Sequence, residues 1–89
     1  VIHYSRLALT KLLRLERRYA DSYLAGVKLQ IERAHETPTM IGKPVSGRPH
    51  VYRTRFEHTW IFYRAAEEDA ITVLNFNDTR QEHGGRFTT

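Results

Sequence analysis

The sequence predicts an α+β fold: an N-terminal helical hairpin packed on one face of a three- to four-stranded, mainly antiparallel sheet. Two observations point there. Apolar residues recur at helical spacing through the first third of the chain, and the pattern stops at Thr37-Pro38. From Val51 the period changes to two, in short runs of β-branched and aromatic residues joined by polar turns. The chain of 89 residues makes one small domain, 1–89. Domains of this size fold alone but bury a modest fraction of their surface.

The first helix follows Ser5, whose hydroxyl can accept a bond from an orphan N–H and cap it. Two apolar rows compete on this helix. One runs through Leu9, Leu12, Leu13 and Glu16; the other joins Ala8, Leu12, Leu15 and Tyr19. The second helix carries a single stripe, Ala20, Tyr23, Leu24, Val27, Ile31 and Ala34, with Asp21 as its expected N-cap. Two helices joined within a few residues run roughly antiparallel. Thr37-Pro38 ends the second, because proline lacks a donor and disfavours α geometry before it. The stretch from Thr37 to Pro49 holds all three prolines together with Gly42 and Gly47, and reads as a loop.

Strands are expected at about 51–56, 59–65 and 70–76, joined by turns at Glu57-His58 and Glu67-Glu68-Asp69. Turns this short imply an antiparallel meander. Val1–Tyr4 is a candidate further edge strand. The polar tail Gln81–Thr89, with Gly84-Gly85, is expected to fray. Successive side chains of a strand point to opposite faces. Tyr52, Phe56, Ile61, Tyr63, Leu74 and Phe76 therefore fall on the buried face. Arg53, Arg55, Trp60, Phe62 and Arg64 fall on the other. A face lined with arginines is suited to an anionic partner, although arginines also commonly solvate the open side of an antiparallel sheet.

Charge supports the first alternative without deciding it. Lys+Arg number 14 against 10 Asp+Glu, a net +4 with a pI near 9.8. From Lys43 to Arg64 the cations are Lys43, Arg48, Arg53, Arg55 and Arg64, against the single anion Glu57. Cysteine is absent, so no disulfide or thiolate–zinc site is available. The histidines at 3, 35, 50, 58 and 83 have no metal-ligand spacing. No metal or other cofactor is expected. No apolar run approaches the ~20 residues of a membrane span. Nothing at Val1–Ser5 reads as a secretory signal, so the expectation is a cytoplasmic protein that makes no use of a membrane.

The order of these parts resembles the RelE/ParE superfamily of bacterial toxins from type II toxin–antitoxin systems. A serine precedes a helical hairpin, and the loop Pro38 to Gly47 reads P-T-M-I-G-K-P-V-S-G. The arginine strand Tyr52-Arg53-Thr54-Arg55 follows, then an aromatic strand ending Ile61-Phe62-Tyr63-Arg64. A third strand and the basic element Asp78-Thr79-Arg80-Gln81-Glu82 close the series. The resemblance covers nearly the whole chain. It implies a compact, microbial-RNase-like fold, neutralised by a cognate antitoxin. The target it implies is either ribosome-bound mRNA, which one branch cuts, or DNA gyrase, which the other inhibits.

Carried over to this chain, the RNA-cutting branch implies catalytic roles for Arg53, Arg55 and Arg80. The resemblance departs from that branch at Trp60, where many relatives hold arginine. The ending I-F-Y-R is shared with the gyrase-directed branch.

The chemistry of RNA cleavage gives its own requirements. A 2′-hydroxyl must lose a proton, the phosphorane charge must be stabilised, and the leaving oxygen must gain a proton. Arginine suits the second task because its planar fork matches phosphate oxygens. Proton transfer falls to His58, His83, His50 or Glu57, with His58 favoured by its place at the turn beside the arginine strand. Lys43, Arg48, Arg64 and His83 are expected to contact RNA, with Trp60 stacking a base.

Three readings follow. The first is a metal-independent, ribosome-dependent mRNA endoribonuclease. The second is a gyrase inhibitor of the same fold without nuclease activity. The third is a non-catalytic RNA-binding module.

Overall fold

The computed structural model describes residues 1–80. Its elements are β1 (Ile2–Tyr4), α1 (Arg6–Arg18), α2 (Asp21–Glu36), α3 (Pro38–Ile41), β2 (Lys43–Pro44), β3 (Val51–Phe56), β4 (Thr59–Glu67) and β5 (Ala70–Asp78). The fold is α+β, with two long helices packed on one face of a mostly antiparallel sheet. The sheet has five strands in the order β1-β5-β4-β3-β2, with β1 parallel to β5. The expected three to four strands become five because Lys43-Pro44 pairs with Arg53 and Tyr52 inside the predicted loop. Proline is tolerated there because β2 is an edge strand. The same stretch holds the one-turn helix α3, which opens on Pro38, where a missing N–H costs nothing.

Ser5 caps α1: its Oγ accepts from the Ala8 N–H at 3.1 Å and donates to the Leu74 carbonyl at 2.9 Å. α1 buries the row of Ala8, Leu12 and Leu15, leaving Leu9 and Leu13 exposed. α2 buries Leu24, Val27, Ile31 and Ala34 as its stripe predicts. Its N-cap is Ala20 rather than Asp21. Asp21 lies inside the first turn, where a negative charge complements the helix dipole.

On β3 the expected register holds: Tyr52 and Phe56 pack against the core while Arg55 is exposed and Arg53 half-buried. Two side chains on the next strands depart from expectation. Leu74 does not share the core with Phe76. The pairing slips by one residue between Phe62↔Asn75 and Tyr63↔Val73, and Leu74 is the extra residue. Ile71 and Val73 take the core positions instead. An extra residue in one strand inverts the alternation beyond it. Phe62 is fully buried rather than displayed. It sits at the middle of the central strand, flanked in register by Arg53 and Asn75.

Among the described residues, no helix is long and apolar enough to cross a membrane.

Candidate functional site: the arginine face of the sheet

Contacts from α2 decide which way β3 turns its arginines. Gln30 Nε2 donates to Thr54 Oγ1 at 2.7 Å, tying the strand's inner face to the helix. Tyr23 Oη meets Thr59 Oγ1 at 2.8 Å and accepts from the His58 N–H at 3.2 Å, which pins the β3–β4 turn. Glu57 occupies that turn with φ 49°, a left-handed conformation common in tight hairpins. With Thr54 and Thr59 held inward, Arg53, Arg55 and Trp60 must point outward.

These three side chains form one cluster. Arg55 and Trp60 are cross-strand partners. The Arg53 and Arg55 guanidinium carbons lie 4.9 and 5.6 Å from the centre of the Trp60 ring. A cation at that distance is attracted by the ring quadrupole, so the tryptophan gathers two positive charges beside each other. Lys43 joins them, because β2 places it opposite Arg53. Such a cluster can hold an extended anionic chain. Tryptophan here supports the arginines as well as offering a surface of its own.

The other predicted residues lie elsewhere. Arg64 is on the same face at its far end, where it lines a cavity of about 250 Å³ with His3, Glu67 and Thr72. Arg48 is exposed in the turn before β3. His58 is exposed and lines a cavity on the α1 side of the sheet. Arg80 is held on that same side. Its guanidinium donates to Asp78 Oδ1 at 3.0 Å and Oδ2 at 2.7 Å, and to Tyr19 Oη at 3.4 Å. The hydrogen bonds from Arg80 hold the Asp78 carboxyl well below the usual carboxylate range, and Asp78 in turn raises the guanidinium. His83 lies outside the described residues. The structure therefore brings Arg53, Arg55, Trp60 and Lys43 together and leaves His58 and Arg80 apart from them. Lys43 as a strand residue opposite Arg53 was not legible, since nothing local marks a two-residue strand.

The family model for the ParE toxin of type II toxin–antitoxin systems matches residues 2–83. The chain belongs to the ParE toxin family. Solved structures share the fold of this ParE-family chain. The toxin–antitoxin complex RelBE of E. coli is similar with a TM-score of 0.70 at 14% identity, over 90% of this chain and 96% of that one. The isolated E. coli RelE toxin gives 0.71 at 14% identity, over 91% and 85%. The RelBE2 complex of Mycobacterium tuberculosis gives 0.67 at 18% identity, over 88% and 95%. Identities this low establish a shared fold alone. No curated protein sequence matches the chain.

Proposed function

We propose that this ParE-family toxin stops growth by binding and inhibiting DNA gyrase, not by cutting RNA. The observation that carries this reading is that, among the described residues, Trp60 gathers Arg53 and Arg55 while His58 and Arg80 take other partners. Arg53 and Arg55 lie on the open face, whereas His58 and Arg80 lie on the α1 side, with Arg80 engaged by Asp78. Among the described residues, His58 lines the α1-side cavity and not the arginine cluster, and phosphate-holding charge alone suits binding better than catalysis. Arginine remains protonated at neutral pH and supplies neither an acid nor a base.

A cognate antitoxin is the expected partner. Relatives of this fold have been crystallised as toxin–antitoxin complexes. An acidic segment lying across Lys43, Arg53 and Arg55 would screen their charge and cover Trp60, with affinity concentrated in the buried aromatic and arginine anchors.

The mRNA endoribonuclease, first among the readings from sequence, becomes the second here, favoured by the pairing of Arg53 and Arg55 on one strand face. Two assays on the purified toxin separate the two. Gyrase supercoiling should be inhibited by the wild type and restored by the Arg55→Ala, Trp60→Ala double variant. Mapping of RNA ends in a translation reaction should show no new cleavage. New mRNA ends with unaffected supercoiling would overturn the gyrase reading in favour of the nuclease.

A further inference from the structure

The flank of α1 nearest β5 carries more positive charge than its surroundings offset. Lys11, Arg14 and Arg18 are spaced i, i+3 and i+7, which aligns them along one side of the helix. With Tyr19, His58 and Asn77 they line a cavity of about 250 Å³. Lys11, Arg14 and Arg18 around it are donors only. Lys11 Nζ donates to Asn77 Oδ1 at 3.0 Å, which uses one of the ammonium's three protons. The carboxylate at the rim, Asp78, is occupied by Arg80 at both oxygens, with Arg18 at 3.8 Å. Among the described residues neither Lys11 nor Arg14 pairs with a carboxylate. Burial, and then the Arg14 charge, push the Lys11 ammonium below its ordinary pKa. A nearby anion would reverse the second effect.

We propose that this cavity binds a phosphate group, held by Lys11 and Arg14 with Arg18 at the rim. Lys11, Arg14 and Arg18 line it from a helix flank, beside His58 of a hairpin turn and Asn77 of a strand. A tetrahedral oxyanion presents acceptor oxygens in several directions, whereas a carboxylate presents two in one plane. Guanidinium groups match phosphate oxygens in pairs. The cavity is smaller than the ~300–1,000 Å³ of typical small-molecule sites. It therefore takes the phosphoryl group and leaves whatever bears it outside.

The source of that phosphate is suggested by what adjoins the cavity. Arg55, Trp60 and Asn77 form one row across the sheet, and the row ends at the Asn77–Lys11 bond. A nucleic-acid strand over Arg55 can thus deliver a neighbouring phosphate around the sheet edge into the cavity. Free inorganic phosphate presents the same chemistry.

The test is an amide NMR titration of the full chain, against a chloride series of equal ionic strength. One arm uses inorganic phosphate and the other a short oligoribonucleotide. Each arm compares the wild type with the Lys11→Gln, Arg14→Gln double variant. Both positions are at least partly exposed, so the folded spectrum should persist. The expected result is movement of the Lys11, Arg14 and Asn77 amides, with affinity at least tenfold weaker in the variant. In the oligonucleotide arm the slope of log K against log salt should become shallower by about 0.7 for each phosphate no longer neutralised. Response to both probes or to the oligonucleotide alone supports a nucleic-acid phosphate, and response to inorganic phosphate alone supports the free anion. No movement at these amides, or unchanged affinity in the variant, overturns the site. No arm reads supercoiling or cleavage, so failure here is distinct from failure of the gyrase reading.

Discussion

Replacing Gly42 with alanine drives a methyl group into the space of a buried hydroxyl. The new Cβ would overlap Tyr63 Oη and come within 2.8 Å of Tyr63 Cζ and 2.9 Å of Tyr52 Cβ. The tyrosine has little room to retreat. It is fully buried, stacks on Tyr52 at 5.8 Å between ring centres, and donates its hydroxyl to the Pro38 carbonyl. Burial also raises its phenol pKa well above the ordinary value, as expected of a hydroxyl kept from water. Overpacking of this kind costs about 1–3 kcal/mol, and a buried hydrogen bond broken on one side costs about 1–3 kcal/mol more. Against a typical total of about 5–15 kcal/mol, that is a large fraction. Tyr63→Phe alone should cost about 1–3 kcal/mol through the unsatisfied Pro38 carbonyl. In the Gly42→Ala, Tyr63→Phe double variant the closest overlap is removed while the tight contacts to the ring Cζ and Tyr52 Cβ stay, so the loss should fall short of the sum by at least about 1 kcal/mol. Urea denaturation of the four proteins measures the cycle. Each kcal/mol should also move the melting temperature by about 4–8 °C. Losses that add to within about 0.5 kcal/mol would refute the proposed overlap.

Three further outcomes are expected. Ser5→Ala removes both the α1 cap and the bond to the Leu74 carbonyl, and should lower stability by about 1–2 kcal/mol in the same urea assay. Asp78→Asn should destabilise the protein slightly at pH 7, since Arg80 is 56% exposed and water screens the pair. Because the folded carboxyl is depressed below its ordinary 3.8, that contribution is present above this value and is lost as pH falls through the lower folded value. Melting curves of the wild type and variant should therefore converge in acid. Trp60 is the single tryptophan, so its fluorescence reports the arginine cluster directly. The Arg53→Gln, Arg55→Gln double variant should shift its emission, and an unchanged spectrum would argue against the contacts at 4.9 and 5.6 Å.

Much of this architecture could be read from local pattern. The period-two run Val51–Phe56 determined which face carries Arg53 and Arg55, because a strand's alternation follows from its own backbone. Ser5 announced its cap, and the α2 stripe announced its buried face, for the same reason: both depend on neighbours within one or two turns. Where two local patterns were equally good, only packing could choose. On α1 the rows through Leu9–Leu13 and Ala8–Leu15 have the same helical period, and β5 selected the second by lying against it. The slip at Leu74 breaks strict alternation through a pairing between distant strands, with Ser5 taking the displaced carbonyl. Lys43 became a strand residue only because Arg53 was there to pair with it. The candidate site divides the same way. Sequence identified the basic and aromatic side chains, and the D-x-R spacing of Asp78 and Arg80 carried a signal for their ion pair. Tertiary structure decided that Trp60 gathers two arginines while Arg80 and His58 lie on the α1 side. Side-chain direction along a strand is local, but proximity between strands and helices is set by register and docking, which no single segment encodes.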